Sequence, residues 1–156
     1  MGYTHYVRRP VKNAGSAYFY AKLALDAKRL CDFANANGIR IRNGMGEGEP
    51  EFTEFHFSIN GDASQGLDHE TFFWAGIPEH PEWRKGEKHY FDFCKTAMKP
   101  YDAAVTAILI RAKSIYGSCV IISSDDDWET DWQDGRKLYE SVFGETANCP
   151  FSEVAV

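Results

Sequence analysis

The densest group of residues able to do chemistry is an acidic run at 125–134, with the sequence DDDWETDWQD. Carboxylate oxygens are the ligands that hard cations such as Mg²⁺ or Mn²⁺ prefer, so Asp125 and Asp127 are candidate metal ligands. The run does not match a calcium-binding EF-hand loop, because Thr130 and Arg136 stand where that loop needs glycine and glutamate. The alternative is a solvated acidic loop that places negative charge at the start of a helix.

Two tryptophans, Trp128 and Trp132, lie inside the acidic run. Rings of this size favour a segment that folds back onto the protein, with the rings buried and the carboxylates projecting. We therefore count Asp125, Trp128 and Trp132 among the candidate ligand contacts.

Three histidines lie next to other polar residues. His69 stands between Asp68 and Glu70, an arrangement that suits acid–base work or metal binding, although an exposed histidine in a capped turn is the alternative. His56 lies on the polar face of a predicted strand, and His5 lies in the first predicted strand. Both are ligand contacts if those faces line a pocket, and ordinary surface residues if they face solvent.

A fourth group joins a predicted strand to a predicted helix. Lys95 and Lys99 are spaced to meet an anionic group near the helix N-terminus, and Asp102 is predicted to be the N-cap. Tyr101, at the start of the same helix, is a further candidate contact. The alternative is a pair of solvated lysines beside a capping residue.

Several standard signatures are absent from the sequence. It has no GxxxxGK[ST], GxGxxG, GxSxG or HExxH motif, which argues against several large enzyme classes. The four cysteines are scattered and form no CxxC pair, so we expect reduced thiols that mostly fill the core.

The candidate residues have to be positioned by a fold that the hydrophobic pattern predicts to be α+β. Helical spacing predicts helices over 16–36, 101–116 and 134–143. Strands are predicted over 3–9, 39–42, 52–60, 70–74, 89–94 and 118–123. We expect a largely antiparallel sheet of five to six strands with two to three helices on one face, and a ferredoxin-like arrangement is one such topology. Residues 1–144 are predicted to be a single globular domain and 145–156 a C-terminal tail.

Composition limits the partners. The 156 residues carry a formal charge of −6, from 23 acidic and 17 basic residues, and the acidic run accounts for the whole excess. No basic stripe is present, which disfavours binding to long nucleic acid. The apolar stretch at 103–110 is far shorter than the ~20 residues of a membrane span. The opening residues lack the charged and apolar regions of a signal peptide, so we expect a cytoplasmic protein.

Several segments together resemble a family of small, mostly uncharacterised proteins of phages, bacteria and fungi. They are the opening MGYTHY, then FSINGD with DHETF, then FCKTAMKPYD, and finally SSDDDWETDW. The likeness runs from residue 1 to about 139. Val7 stands where the family has an aromatic residue, and Asp126 where its SDGDW motif has glycine. The resemblance implies a phage-type accessory protein and transfers no residue role.

These observations favour a binding protein for a small polar ligand, such as a nucleotide-derived metabolite or signal, that a phage protein would sequester to counter host defence. Aromatic rings would stack on the ligand, and histidine, aspartate and lysine side chains would make polar contacts. The candidate ligand contacts are His5, His56, His69, Glu70, Lys95, Tyr101, Asp125, Trp128 and Trp132.

Two alternatives remain open. One is a phosphodiester hydrolase in which Asp125, Asp127 and His69 or His56 hold Mg²⁺ or Mn²⁺, and only this hypothesis requires a cofactor. The other is an interaction module that presents the acidic loop to a basic partner. The sequence decides neither whether a reaction is catalysed nor whether the chain forms a homo-oligomer.

Overall fold

A computed structural model describes residues 3–152. Within them, the α+β prediction is confirmed. The helices are α1 (Ala17–Ala36), α2 (Asp102–Tyr116) and α3 (Gln133–Phe143). The strands are β1 (Thr4–Pro10), β2 (Glu51–Phe52), β3 (His56–Ile59), β4 (Phe72–Ala75), β5 (His89–Lys95) and β6 (Ile121–Ser124).

The strands form two antiparallel sheets of three, in the orders β5-β1-β6 and β2-β3-β4. This corrects the expectation of one larger sheet. The strands that would join the two sheets, β4 and β5, meet at one end, where Glu70 N donates to Lys95 O at 3.2 Å. Elsewhere they do not approach as paired strands do. Each sheet therefore presents an edge strand to the other.

The strand predicted over 52–60 is interrupted by a turn. Thr53 Oγ1 accepts hydrogen bonds from Phe55 N at 3.2 Å and His56 N at 3.1 Å, so β2 and β3 form a hairpin. Phe55 is exposed, whereas Phe57 and Ile59, predicted to share its face, are fully buried. The predicted strand at 39–42 is reduced to a single bridge between Arg42 and Asn60.

The second helix occupies the centre of the molecule. It packs against α1, α3 and β6, and it is buried on nearly all sides, as expected for a helix that is apolar around most of its circumference. Val105, Ile108 and Leu109 are fully buried in the core. The first turn of α2 consequently lies inside the protein, where its polar side chains need partners.

Residues 145–152, which belong to the predicted C-terminal tail, contact the rest of the domain. Ala147 is buried and its N–H donates to Glu140 Oε2, while Phe151 forms a parallel bridge with Ile122. Residues 153–156 of the predicted tail lie outside the described residues. Across residues 3–152, no helix combines the length and the hydropathy needed to cross a bilayer.

Candidate functional site

A buried polar cluster lies where the start of β1, the end of β6 and the first turn of α2 meet. Its centre is His5, which is 1% exposed. His5 Nδ1 lies 2.8 Å from Ser124 Oγ, and His5 Nε2 lies 2.6 Å from Asp102 Oδ1. The ring is thus held at both nitrogens, and His5, Asp102 and Asp126 are called the buried cluster below.

Asp102 does not cap α2 as predicted. No side chain caps the helix, which begins after Tyr101. Asp102 Oδ1 instead accepts a hydrogen bond from Thr96 Oγ1 at 2.5 Å and faces His5. Because the first turn of α2 is buried, the carboxylate meets buried partners rather than backbone groups at a solvated helix end.

Asp126 is the third member of the cluster and the least compensated one. It is 6% exposed, its Oδ2 lies 3.9 Å from His5 Nε2, and this oxygen has no hydrogen-bond partner among the described residues. The pKa of Asp126 is raised to about 6, chiefly by burial; the His5 ring opposes the shift and the charge of Asp102 adds to it. The cluster therefore holds buried carboxylates with no Lys or Arg within salt-bridge distance in the described part of the chain.

Asp127 and Asp131 of the acidic loop form hydrogen bonds that fix the backbone so that the Asp126 side chain points into the protein. Asp127 Oδ2 accepts hydrogen bonds from Glu129 N, Thr130 N and Thr130 Oγ1, and Asp127 N donates to Asp131 Oδ2. These bonds are those of a tight turn closed by an aspartate side chain. Of the two predicted metal ligands, Asp127 is occupied by its own loop.

The other predicted ligand, Asp125, points outward. Both of its carboxylate oxygens lie 3.2 Å from the hydroxyl of Tyr6, on the surface of the sheet. The structure does not bring Asp125 and Asp127 together as a metal pair, because the backbone bends at Asp125 and Asp126 and the Asp127 carboxylate turns back to the N–H groups of Glu129 and Thr130. The middle aspartate, Asp126, is the one that enters the interior.

The two tryptophans of the acidic loop fold back onto the protein, as predicted. Trp132 is fully buried and packs edge-on against His5, with ring centroids 5.2 Å apart. Trp128 packs against Trp132 and under the guanidinium of Arg136. Close helix packing holds the loop in place, since a Cβ added at Gly135 would overlap Thr106 Oγ1.

A second candidate site lies between the facing edges of β4 and β5, and we call it the slot. It has a volume of about 120 Å³. Consecutive residues of both strands line it, which shows that strand edges, not only one face of each strand, border the space. The lining residues are His5, Val7, Arg9, Phe72, Phe73, Trp74, Ala75, Pro78, Glu79, Tyr90, Phe91, Asp92, Phe93 and Cys94.

The register of β1 and β5 sets which backbone groups of β5 face the slot. Val11 N donates to Lys88 O at the end of this ladder. Val11 and Lys88 are therefore a hydrogen-bonded pair. Because hydrogen-bonded and non-hydrogen-bonded pairs alternate in an antiparallel ladder, Arg8–Phe91 and Tyr6–Phe93 are non-hydrogen-bonded pairs. The N–H and C=O groups of Phe91 and Phe93 thus point away from β1. Phe93 N donates to Asp92 Oδ1 at 2.8 Å. Among residues 3–152, the backbone groups of Phe91 have no backbone partner on this side.

The same alternation orients β4. His56 O accepts from Thr53 N in the β2–β3 hairpin, so the His56–Ala75 pair is a non-hydrogen-bonded one. The backbone groups of Ala75 and Phe73 therefore point toward the slot. Arg9 closes the slot at the C-terminal end of β4 by donating to the carbonyl of Ala75 at 2.5 Å and to that of Gly76 at 3.2 Å.

A shallow cationic pocket adjoins the slot and shares Phe91 with it. The guanidinium groups of Arg8 and Arg84 lie 5.2 Å and 5.1 Å from the centre of the Phe91 ring. The pocket is lined by Arg8, Arg84, Gly86, Glu87, Lys88, His89 and Phe91. Three permanent cations thus face one carboxylate, which favours an anionic group.

Four of the predicted contacts lie together at the end of the slot where Glu70 meets Lys95, but they hold the two strands rather than line a cavity. His69 Nδ1 lies 2.7 Å from Lys95 O, and Lys95 N donates to Glu70 Oε1 at 3.0 Å. Tyr101 donates its hydroxyl to Glu70 O at 2.6 Å, and burial raises its pKa. His69, Glu70, Lys95 and Tyr101 are therefore placed as a clamp between the two sheets.

His56 lies apart from this clamp and from the buried cluster. Its Nε2 lies 2.6 Å from Glu51 Oε1, and its ring stacks on Phe73. The cavities described here do not include His56 in their lining. Of the nine predicted ligand contacts, His5 alone lines the slot.

Sequence reasoning missed several residues of the two sites. Ser124, Thr96 and Asp102 looked like strand-end and capping residues. No local pattern shows that Ser124 and Asp102 share His5, more than 90 positions away in the chain, or that Thr96 donates to Asp102. One signal was available for the slot: in Tyr90-Phe91-Asp92-Phe93, aromatic residues fall on both faces of β5. Aromatic residues on both faces are typical of a strand whose outer face also contacts a ligand or another part of the protein.

Comparison of the chain with protein-family models, with curated proteins and with solved structures finds no significant match.

Proposed function

We propose that this protein binds a small anionic ligand that carries a planar heterocyclic ring, such as a nucleotide or a nucleotide-derived signal. The ring would enter the slot and the anionic group would lie in the cationic pocket. The observation that carries the proposal is that an aromatic slot and a cationic pocket adjoin each other and share Phe91.

The slot suits a single ring. Its volume of about 120 Å³ is close to the roughly 150 Å³ of an engineered apolar cavity that binds benzene. Aromatic side chains of β4 and β5 supply stacking surfaces, as in most small-molecule sites. The backbone N–H and C=O groups of Phe73 and Phe91 supply donors and acceptors that match the edge of a heterocycle better than that of a hydrocarbon.

The cationic pocket suits a phosphate or carboxylate. Arg8 and Lys88 form no salt bridge in the described part of the chain, and Arg84 reaches Glu87 only at 3.9 Å. Arginine forms two parallel hydrogen bonds to a phosphate, which adds direction to charge attraction. A ligand with a ring and an anionic group would use both sites at once.

Binding without turnover fits the slot better than catalysis does. The one thiol that lines it belongs to Cys94, and burial raises the pKa of this thiol to about 12, so it is a poor nucleophile. We propose that the protein sequesters its ligand in the cytoplasm as a phage-type accessory protein. The hydrolase alternative has less support, since Asp127 is occupied by its own loop and Asp125 points outward.

Calorimetry with a panel of nucleosides, nucleotides and cyclic dinucleotides tests the proposal. We expect nucleotides to bind at least 10-fold more tightly than the matching nucleosides. We also expect Arg8→Ala and Lys88→Ala each to weaken nucleotide binding about 10-fold while leaving nucleoside binding unchanged. Heat denaturation of protein purified from its native host should release an intact ligand.

The matched control is Lys85→Ala, which removes a lysine from the same loop that pairs with Glu82 at 2.7 Å. This variant should bind nucleotides as the parent protein does. If no member of the panel binds at millimolar concentration, the proposal is wrong. If Lys85→Ala and Lys88→Ala weaken binding equally, the attraction is general and the cationic pocket is not the anion site.

A further inference from the structure

The buried cluster contains the donor set of a transition-metal site. One atom each from His5, Asp102 and Asp126 can be chosen so that all three lie within 4.8 Å of one another. Nitrogen and oxygen ligands lie about 2.0–2.2 Å from a bound zinc ion, so two ligands of one ion are at most about 4.4 Å apart. The distance of 3.9 Å from His5 Nε2 to Asp126 Oδ2 fits this limit.

The distance between His5 and Asp102 shows which contact must change when an ion binds. His5 Nε2 and Asp102 Oδ1 are 2.6 Å apart, which is a hydrogen bond and too short for two ligands of one ion. A small rotation of the Asp102 carboxylate replaces this hydrogen bond with two bonds to the ion. The ring keeps one proton, on Nδ1: a doubly protonated ring releases its Nε2 proton to solvent, and a neutral ring binds the ion in the tautomer that is protonated at Nδ1.

The neighbouring side chains have the arrangement of supporting groups around a metal ligand. When a metal occupies one ring nitrogen of histidine, the other usually donates to an oxygen, and Ser124 Oγ lies 2.8 Å from His5 Nδ1. Thr96 Oγ1 holds the Asp102 carboxylate in the same way, at 2.5 Å. Both ligands are therefore oriented by a hydroxyl.

A bound cation would also balance the negative charge of the buried carboxylates in the cluster. Only 6% of the surface of Asp126 is exposed, and its unpartnered Oδ2 is directed toward His5. Buried carboxylates are normally paired or coordinate a metal. Within residues 3–152, the buried side-chain nitrogen and oxygen atoms without a hydrogen-bond partner are this oxygen and Nε1 of Trp132, whose ring packs on His5.

We infer that His5, Asp102 and Asp126 bind a first-row divalent cation such as Mn²⁺ or Zn²⁺, which fastens the acidic loop to the start of β1 and to α2. The imidazole nitrogen favours such an ion over Mg²⁺ or Ca²⁺, which prefer oxygen ligands alone. The near-complete burial of the three ligands suits an ion that stabilises the loop rather than one that contacts substrate. This inference does not depend on the proposed ligand site.

Metal binding to chelator-treated protein tests the inference, with Mn²⁺ as the probe because it avoids the exposed thiol of Cys149. Calorimetry should show one Mn²⁺ per chain and a higher Tm with Mn²⁺ than with Mg²⁺ or Ca²⁺. Pulsed electron paramagnetic resonance should detect one nitrogen bound to the Mn²⁺. Asp126→Asn should weaken Mn²⁺ binding at least 100-fold.

The matched control is Asp125→Asn, which removes the neighbouring carboxylate of the same loop but not a ligand. It should change Mn²⁺ affinity less than threefold. The inference is wrong if Mn²⁺ and Zn²⁺ do not bind at 1 mM, if Asp125→Asn and Asp126→Asn have equal effects, or if the bound ion shows no nitrogen ligand. Circular dichroism of each variant separates loss of binding from loss of folding.

Discussion

Asp26 and Asp126 are both buried carboxylates beside α2, yet the protein compensates their charges differently. Asp26 is fully buried, and Arg111 Nε of α2 donates to it at 2.7 Å, with Lys22 Nζ at 3.4 Å. Asp126 faces His5 at 3.9 Å and has an oxygen without any partner in the described residues. A buried carboxylate with a permanent cation serves the fold, whereas one without it marks a site where something else can bind.

The largest effect is expected when the compensated carboxylate loses its partner. Arg111→Met keeps the length of the side chain but leaves Asp26 buried without its closest cation, and it should lower the free energy of unfolding by about 3–5 kcal/mol. Urea denaturation measures this loss. The control is Lys28→Met, which breaks an exposed pair with Asp32 and should leave the free energy of unfolding close to that of the parent protein. A loss below 1 kcal/mol for Arg111→Met would show that Lys22 and Arg29, at 3.4 Å and 3.8 Å, compensate Asp26 without Arg111.

The packing that positions Asp126 can be perturbed without touching Asp26. Gly135→Ala places a methyl group against Thr106 Oγ1 and should destabilise the protein by about 1–3 kcal/mol, because overpacking shifts α3 and the acidic loop. Thermal denaturation measures the effect. The double variant with Thr106→Ala removes the overlap with Oγ1 and should recover part of the loss, since the Cβ of residue 106 would still lie 2.8 Å from the added methyl group. Equal destabilisation of the single and double variants would place the strain elsewhere.

The uncompensated carboxylate should make stability depend on pH. The pKa of Asp126 in the folded protein, about 6, lies above its ordinary value of 3.8. The stability that the protonated form contributes is therefore fully present below pH 3.8 and is lost as pH rises through about 6. Asp126→Asn should remove this loss.

Chelator-treated Asp126→Asn should accordingly be about 1–2 kcal/mol more stable than the parent protein at pH 8 and nearly equal to it at pH 4. This is less than the ~3 kcal/mol that two pKa units represent, since partial solvation and His5 screen the charge. Urea denaturation at a series of pH values measures the difference. A variant that is less stable than the parent at pH 8 would contradict the description of Asp126 as uncompensated.

The smallest effect concerns the hydroxyl that orients His5. Ser124→Ala removes the contact to His5 Nδ1 and the hydrogen bond that Ser124 Oγ accepts from Asp126 N, and it should cost about 1–2 kcal/mol, since one hydrogen bond has a net value of about 0.5–1.5 kcal/mol. On the Asp26 side, Tyr139→Phe also removes two hydrogen bonds, one donated to Glu145 and one accepted from Arg111, and is the matched variant. Chemical denaturation compares the two. A cost above 3 kcal/mol for Ser124→Ala would mean that Ser124 supports more than the ring of His5 and the N–H of Asp126.

Much of the local structure follows from sequence patterns, because those patterns act over a few residues. Helical spacing and the Ser16 cap located α1 to within one residue, and the turn at Gly117 ended α2 as predicted. The error at 52–60 has a local cause that alternation alone does not show. Thr53 accepts two backbone hydrogen bonds through its side chain, and this turn competes with the strand.

The candidate sites were predicted less well than the elements. His5 and the two tryptophans were singled out, and the structure places all three at or beside the buried cluster. The acidic run was expected to offer Asp125 and Asp127 to a metal, but the turn closed by Asp127 directs Asp126 inward instead. Predicting this would require knowing which of three successive aspartates faces the core.

The sequence by itself determined the α+β class, the helices and the concentration of negative charge in one loop, since composition and periodicity act locally. Tertiary structure alone decided that β4 and β5 separate into a slot and that Asp102 turns away from its helix end toward His5. These features depend on contacts between residues about 20 to 120 positions apart, in which burial removes water and changes the partner that each polar group prefers.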